Sequence, residues 1–164
     1  MNKQDLESLS EVMEPFDTAM LVTQRGENIR SRPMAIAEAS EDGHLWFLTS
    51  SDSGKIDELS ANPSVNVVMQ SERRYLSLSG TARAVRDRDR IEALWSPVSK
   101  AWFDGPDDPQ VTALEIVPDF AEFWDLTGMK GVKAVVRIGA AILSDDAPDT
   151  DDDVNRKLDF GVSG

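Results

Sequence analysis

Residues 45–55 read LWFLTSSDSGK, and this stretch joins an apolar strand to the start of a helix. The apolar half predicts a strand, and the polar half predicts a helix with Ser53 at its N-cap, a position that serine favours. Backbone N–H groups and the dipole at a helix start attract phosphate. Thr49, Ser50 and Ser53 add hydroxyl donors, and Lys55 adds a cation. The stretch therefore suits a phosphate site, although a capped helix with a surface lysine is the plainer interpretation of its composition.

A second polar stretch lies in the predicted strand over residues 29–39. Pro33 predicts an edge or a bulge there, because proline lacks the N–H of a ladder hydrogen bond. Arg30 and Arg32 lie on one side of this strand and suit a phosphate or a ring carbonyl, while Met34 suits a flat aromatic ligand. An edge strand with solvated arginines is the alternative.

The order of the predicted elements favours an antiparallel barrel with peripheral helices over a parallel fold, in which strands and helices would alternate regularly. The predicted strands are residues 19–23, 29–39, 45–49, 65–69, 75–85, 111–117, 121–124 and 134–143. Three helices are predicted. The first ends at Pro15, the second begins after Ser53, and the third begins after Asp87, which serves as its cap. The first helix places Leu6, Leu9, Val12, Met13 and Phe16 at helical spacing.

Residues 1–144 are predicted to form one domain, and residues 145–164 an acidic, flexible tail. Residues 145–153 carry six acidic side chains and no basic one. Such a run favours a solvated segment, and it lacks the glycine and the final glutamate of a calcium-binding EF-hand loop.

Composition excludes several functions. The net charge of −13 disfavours nucleic acid, whose phosphates would be repelled. No apolar run approaches the length of a membrane span, and the absence of cysteine excludes disulfides and thiolate chemistry. These features fit a cytoplasmic protein. His44 is the only histidine, so neither a metal site nor a catalytic triad is expected.

Several motifs occur in an order that is similar to that of one known family. They are Arg32-Pro33-Met34, Trp46-Phe47-Leu48-Thr49, Ser53 with Lys55, Asn62-Pro63, Trp95-Ser96-Pro97, Ala101-Trp102-Phe103, Asp107-Asp108-Pro109 and Glu122-Phe123-Trp124. With these motifs the chain resembles the pyridoxamine 5′-phosphate oxidase-like FMN-binding split barrels, and in particular their general stress protein branch. The resemblance implies a mainly β (α+β) fold, an antiparallel split β-barrel with peripheral helices, that binds flavin mononucleotide (FMN).

The resemblance also implies which residues bind the cofactor. Those expected from the chain's own subunit are Arg32, Pro33, Met34, Leu48, Thr49, Ser50, Ser53, Lys55 and Tyr75. Arg32-Pro33-Met34 would line the ring and the ribityl chain. Thr49 and the backbone of Leu48 and Ser50 would reach the ring edge, and Ser53 and Lys55 match the phosphate ligands. Two positions depart from the oxidase pattern: Gly54 replaces a second basic residue, and Tyr75 replaces a ring-contacting glutamine.

Family members bind flavin between two subunits, so the resemblance implies a homodimer with the cofactor at its interface. Lys100, Trp102 and Phe103 are the candidates for the wall that the partner chain supplies. A surface loop held by two aromatic side chains is the alternative interpretation of this segment.

Three functions stay open. An FMN-dependent oxidoreductase would rely on the cofactor's own redox chemistry, with Lys100 or Tyr75 as the only candidates for assistance. A non-catalytic module would sense, store or scavenge flavin. A third option is a split barrel that has lost flavin and binds haem, a deazaflavin or nothing, although haem lacks a ligand because His44 is the only histidine and cysteine is absent. FAD and a deazaflavin are the alternatives to FMN as the cofactor. The pyridoxal phosphate-binding residues of the oxidase have no counterpart, so the resemblance does not imply oxidation of vitamin B6.

Overall fold

One antiparallel sheet carries the fold of this computed structural model, which describes residue 9, residues 11–126 and the backbone of residues 155–159. Its strands are β1 (Thr18–Arg25), β2 (Asn28–Ala35), β3 (Glu38–Ala39), β4 (Leu45–Ser50), β5 (Ser64–Gln70), β6 (Arg74–Val85), β7 (Val111–Asp125) and β8 (Asn155–Asp159). Their order is β2-β1-β5-β6-β7-β4-β3, and β8 pairs with β7. Outside the sheet lie α1 (Gly54–Ala61), α2 (Arg88–Ala93) and a 3₁₀ turn (Ser99–Ala101).

The sheet curls around a main hydrophobic core. Strands β2 and β4 are in contact although four strands separate them in the sheet order. Along β5 the buried side chains alternate as Val65, Val67 and Met69, and they share the core with Leu76 and Leu78 of β6. This period of two is that of a strand with one buried face. The predicted mainly β architecture with antiparallel strands and peripheral helices is confirmed.

The predicted N-terminal helix is present where the structure describes it. Residues 11–13 are helical and a turn follows at residues 14–15. Leu9, Met13 and Phe16 are buried in the main core, as their spacing predicts. This segment therefore packs one apolar face on the barrel.

The sequence-based division of the last long strand into two was wrong. Residues 111–117 and 121–124 belong to the single strand β7, which pairs with β6 along its length apart from a register shift at Ser79/Gly80. A bulge of this kind lets one strand gain a residue without ending the ladder. Glycine is required at position 80, because a Cβ there would lie 2.3 Å from the Val117 carbonyl oxygen.

The predicted strand over residues 29–39 is in fact two strands. Strand β2 ends at Ala35, and β3 pairs with β4 instead of β1. Between them, the Ile36 amide donates to the Asp17 carbonyl (2.9 Å) and the Ala37 amide to the Trp46 carbonyl (2.8 Å). Strand β2 is the outer strand of the sheet order, so the prediction that Pro33 marks an edge is confirmed.

Helix α2 packs on the face of β4 that points away from the main core. Its cap is Asp87, as predicted, whose side chain accepts from the backbone amides of Asp89 and Arg90. The Arg90 guanidinium lies 4.1 Å from the centre of the Trp46 ring and also pairs with Glu38 at 2.8 Å. This stacked ion pair joins α2 to both β3 and β4.

The structure describes only part of the C-terminal segment for which elements were predicted. The predicted strand over residues 134–143 and the acidic run over residues 145–153 lie outside the described residues. Asn155–Asp159, which falls within the predicted flexible tail, instead forms β8 and pairs with residues 120–124 of β7. The boundary at residue 144 stays a prediction. No helix in the described part of the chain has the length and apolar character to cross a membrane.

Candidate functional site

The junction of β4 and α1 holds a lysine between two hydroxyl groups. The Lys55 ammonium donates to Thr49 Oγ1 and to Ser53 Oγ, each at 2.7 Å. Ser53 occupies the predicted N-cap position, but its hydroxyl accepts from Lys55 instead of capping the helix. An ammonium carries three N–H donors, so the two hydroxyl groups fix its position and leave one donor for a ligand. Three residues that the sequence predicted as a phosphate site are thus brought together.

The electrostatic environment of Lys55 is positive. Burial lowers the pKa of Lys55 below its ordinary value, and the nearby Arg32 guanidinium lowers it further by repulsion. The Glu58 carboxylate acts in the opposite direction. A bound anion would relieve the repulsion between these two cations.

Glu58, on the same helix as Lys55, is the centre of a buried ionic network. Its side chain is 2% exposed. Arg32 Nη2 donates to Glu58 Oε2 at 2.7 Å, and Arg30 Nη1 donates to Oε1 at 3.1 Å. The Thr23 hydroxyl donates to Glu58 Oε2 at 2.7 Å and accepts from Arg32 Nη1 at 2.6 Å. The carboxylate therefore joins α1 to both β1 and β2.

The pKa of Glu58 is lowered by this network. The Thr23 hydrogen bond is the largest cause; the Arg32 hydrogen bond and the charges of Arg32 and Arg30 add to it, and burial opposes them. Glu58 is therefore ionised at neutral pH despite its burial. The β1–β2 register places Arg30 opposite Thr23, so residues 30 and 32 share the face that turns toward α1.

The remaining predicted residues of β2 and β4 face different ways. Met34 is buried in the main core and presents little surface in this chain. Pro33, adjacent in sequence, lies on the opposite face of β2. In β4 the Leu48 side chain packs with a second core around α2, away from buried Thr49, and Ser50 donates to Asp52. The Leu48 and Ser50 side chains therefore lie on the face of β4 opposite Thr49.

The other predicted ring and partner residues lie on β6 and on the segment around the 3₁₀ turn. Tyr75 is partly buried near the start of β6, where it pairs with Gln70 of β5 and Trp124 of β7. Trp102 is 78% exposed, whereas Phe103 packs against Trp95 with ring centres 6.5 Å apart. Lys100 is exposed on the same 3₁₀ turn. The loop thus presents one free aromatic ring beside one that anchors it.

Comparison with known proteins agrees with the resemblance. A family model described as "Pyridoxamine 5'-phosphate oxidase like" matches residues 4–149. The chain belongs to the pyridoxamine 5′-phosphate oxidase-like family. Protein bli-3 of Neurospora crassa is 32% identical to it over 127 residues, a match that spans 69% of this chain but only 61% of that protein. General stress protein 26 of Bacillus subtilis is 28% identical over 73% of this chain and 88% of its own length.

A solved structure supports the same assignment. The general stress FMN/FAD binding protein of Xanthomonas citri superposes with a TM-score of 0.65 at 28% identity, covering 79% of this chain and 97% of that one. Its similarity confirms the predicted split-barrel fold. Membership of the pyridoxamine 5′-phosphate oxidase-like family, and the resemblance to its general stress protein branch, are therefore confirmed.

Two buried ionic features of the chain were missed from its sequence. The first is Glu58 with Thr23; the spacing of Lys55 and Glu58, three residues apart on a helix, was the available signal that both lie on one face. The second is Glu115, which is 3% exposed and accepts from Arg83 while lying 2.8 Å from His44 Nδ1. Within the described residues no cluster of three or more metal-ligating side chains occurs.

Proposed function

We propose that this chain binds FMN, with the phosphate at the junction of β4 and α1. The observation that carries the proposal is the Lys55 ammonium, which Thr49 and Ser53 fix and on which the charge of Arg32 also acts. Lys55, Arg32, Arg30 and Glu58 carry three positive charges and one negative charge. A phosphate monoester carries up to about two negative charges at neutral pH, so the cluster matches it.

The same charge argument favours FMN over FAD. The phosphate of FMN is a monoester, whereas the phosphate nearest the flavin in FAD is joined by an anhydride bond to a second phosphate and carries a single negative charge. A site with an excess of two positive charges gains more from the monoester. A deazaflavin with a diester at this position would be disfavoured for the same reason.

The proposed ring site lies along β2. Arg32 is partly exposed at the edge of the sheet, and Pro33 lies on the face of β2 that turns away from α1. Met34, being buried, would support this edge from the core and would contact the ring little. The backbone of Leu48 and Ser50 would offer the ring edge its hydrogen bonds. Tyr75, on β6, stays a proposed ring contact.

A homodimer is part of the proposal. The exposed Trp102 ring is a large apolar surface, and burial against a partner would remove it from water. Lys100 lies beside it, so the same loop of a second subunit would bring a cation and an aromatic face to the flavin. Phe103 would anchor this loop through Trp95 and would not touch the cofactor.

The proposed role is to hold and orient flavin, and any redox chemistry belongs to the cofactor. Bound FMN supplies the capacity to accept a hydride or single electrons at its ring. In the described part of the site, Lys55 and Glu58 are both engaged in fixed hydrogen bonds. This favours a flavin-binding module without an acid–base residue. An oxidoreductase in the cytoplasm stays the second candidate; anaerobic reduction of the bound flavin by NADH or NADPH, followed by turnover with an acceptor, would support it.

The test of the binding proposal has two parts. Purified protein is denatured, and the absorption spectrum and mass of any released ligand are measured. Stripped protein is then titrated with FMN, FAD and riboflavin. The proposal expects FMN to be released and to bind more tightly than riboflavin, which lacks the phosphate. A released deazaflavin, or equal affinities for FMN and riboflavin, would contradict it.

A further inference from the structure

The network around Glu58 contains more hydrogen bonds than are needed to neutralise the charge of one arginine. A buried carboxylate that served only to neutralise one arginine would require one partner. Glu58 instead receives three hydrogen bonds, from Thr23, Arg32 and Arg30. Two of these donors lie on β2 and one lies on β1, while the carboxylate itself lies on α1. The network therefore fixes three elements at the point where Lys55 is held.

The consequence for Arg32 is that its guanidinium has one orientation. Nη1 is held by Thr23 and Nη2 by Glu58, at 2.6 and 2.7 Å. A planar guanidinium with two such contacts cannot rotate without breaking both. Its remaining donors are thereby directed in advance, which lowers the cost of ordering this side chain when an anion binds.

Glu58 also allows Arg32 and Lys55 to coexist. These two cations repel each other, and Glu58 is the acidic group that opposes this effect at Lys55. Lys55 and Glu58 lie three residues apart on α1 and share a face. The carboxylate therefore offsets part of the repulsion between Arg32, which it holds, and Lys55, which Thr49 and Ser53 hold.

We propose that Glu58 is a positioning residue of the anion site: it holds the Arg32 guanidinium beside Lys55, so that affinity for the phosphate of the ligand, and not for its ring, depends on Glu58. The inference rests on the proposed FMN site. Glu58 touches no ligand in this arrangement and acts through Arg32.

The test compares Glu58→Gln with a matched control, Glu115→Gln. Both replace a buried, ion-paired glutamate by its uncharged isostere, but Glu115 lies on β7 opposite Trp46, on the sheet face away from Thr49. We expect Glu58→Gln to weaken FMN binding about tenfold and riboflavin binding less than about twofold, the loss of one charge-assisted contact. We expect Glu115→Gln to leave the ratio of the two affinities unchanged. Equal losses of both ligands in Glu58→Gln would show a merely structural role and overturn the proposal.

A double-mutant cycle provides a second test that does not depend on Glu58→Gln folding well. Arg32→Met combined with Glu58→Gln removes both charges, so neither is left buried and unpaired. If Glu58 acts through Arg32, the double variant binds FMN as weakly as Arg32→Met alone, within about twofold. A further loss in the double variant, multiplying that of Arg32→Met, would refute action through Arg32.

The outcomes separate this inference from the binding proposal. If the unmodified protein does not prefer FMN to riboflavin, the phosphate site and the role of Glu58 both fail. If it prefers FMN, and Lys55→Met abolishes that preference while Glu58→Gln retains it, the phosphate site stands and the positioning role alone is refuted.

Discussion

Replacing Lys55 by methionine tests the proposed phosphate site most directly. Methionine keeps the length of the apolar stem and removes only the ammonium. The ammonium lies 2.7 Å from both Thr49 Oγ1 and Ser53 Oγ, so its position is set before any ligand arrives. A hydrogen bond to a charged group contributes about 1.5–3 kcal/mol, which corresponds to a loss of FMN affinity of about tenfold to about a hundredfold.

Riboflavin is the internal control for this variant. It carries the same ring and ribityl chain without the phosphate, so we expect its affinity to change less than about threefold. Fluorescence titration of stripped protein measures both constants, and raised salt should narrow the gap between the ligands in the unmodified protein, because ions screen partly exposed charges. The variant leaves two hydroxyl groups without their donor, so its thermal unfolding is compared in the absence of ligand. Equal losses for both flavins, with unfolding unchanged, would place the phosphate elsewhere.

Three further predictions follow from other features. Gly80→Ala places a Cβ against the Val117 carbonyl oxygen, so we expect the free energy of unfolding to fall by about 2 kcal/mol and the melting temperature by roughly 5 °C. Gly105→Ala is the control, because a Cβ at position 105 meets nothing within 4 Å; equal melting temperatures of the two variants would contradict the bulge geometry. Because the pKa of Lys55 is lowered, the ammonium loses its proton below the pH at which lysine ordinarily does, and FMN affinity should fall as the pH rises through that range. Lys55→Arg keeps its proton, so its FMN affinity should not fall over the same pH series. Trp102→Ala should leave the melting temperature of the isolated subunit unchanged. It should weaken the binding of FMN and of riboflavin equally and lower the fraction of dimer measured by light scattering. A strictly monomeric FMN-bound protein would refute the shared site.

The sequence predicted the parts of the fold that follow from local pattern. Alternation along β5 and β6 and the caps at Ser53 and Asp87 indicated strands and helices that the structure contains. It failed at residues 118–120, which separate two predicted strands but lie within β7 and include Pro118. A bulge accommodates that proline, and the glycine that permits the bulge lies on the neighbouring strand at position 80. Such a pairing is non-local and leaves no pattern in either strand alone.

The candidate site was predicted in the same partial way. Thr49, Ser53 and Lys55 are close in sequence, so one short stretch contains the information that brings them together. Glu58 and Thr23 are 35 positions apart, and their contact depends on how α1 packs over β1. Arginines at 30 and 32 were expected in solvent or at a ligand, whereas the structure gives both an internal partner. Long-range ion pairs of this kind follow from packing, which composition and spacing do not specify.

Helix α1 unites functions that many proteins keep on separate elements. Its eight residues contain the cation Lys55, the buried counterion Glu58, and Leu59, which belongs to the main core. An anion bound beside Lys55 would therefore stabilise the barrel itself. At a concentration about one hundred times its dissociation constant, it would raise the free energy of unfolding by about 2.7 kcal/mol. The survival of this chain against heat and proteases would then follow the supply of its cofactor, so that a shortage of flavin would shorten its lifetime.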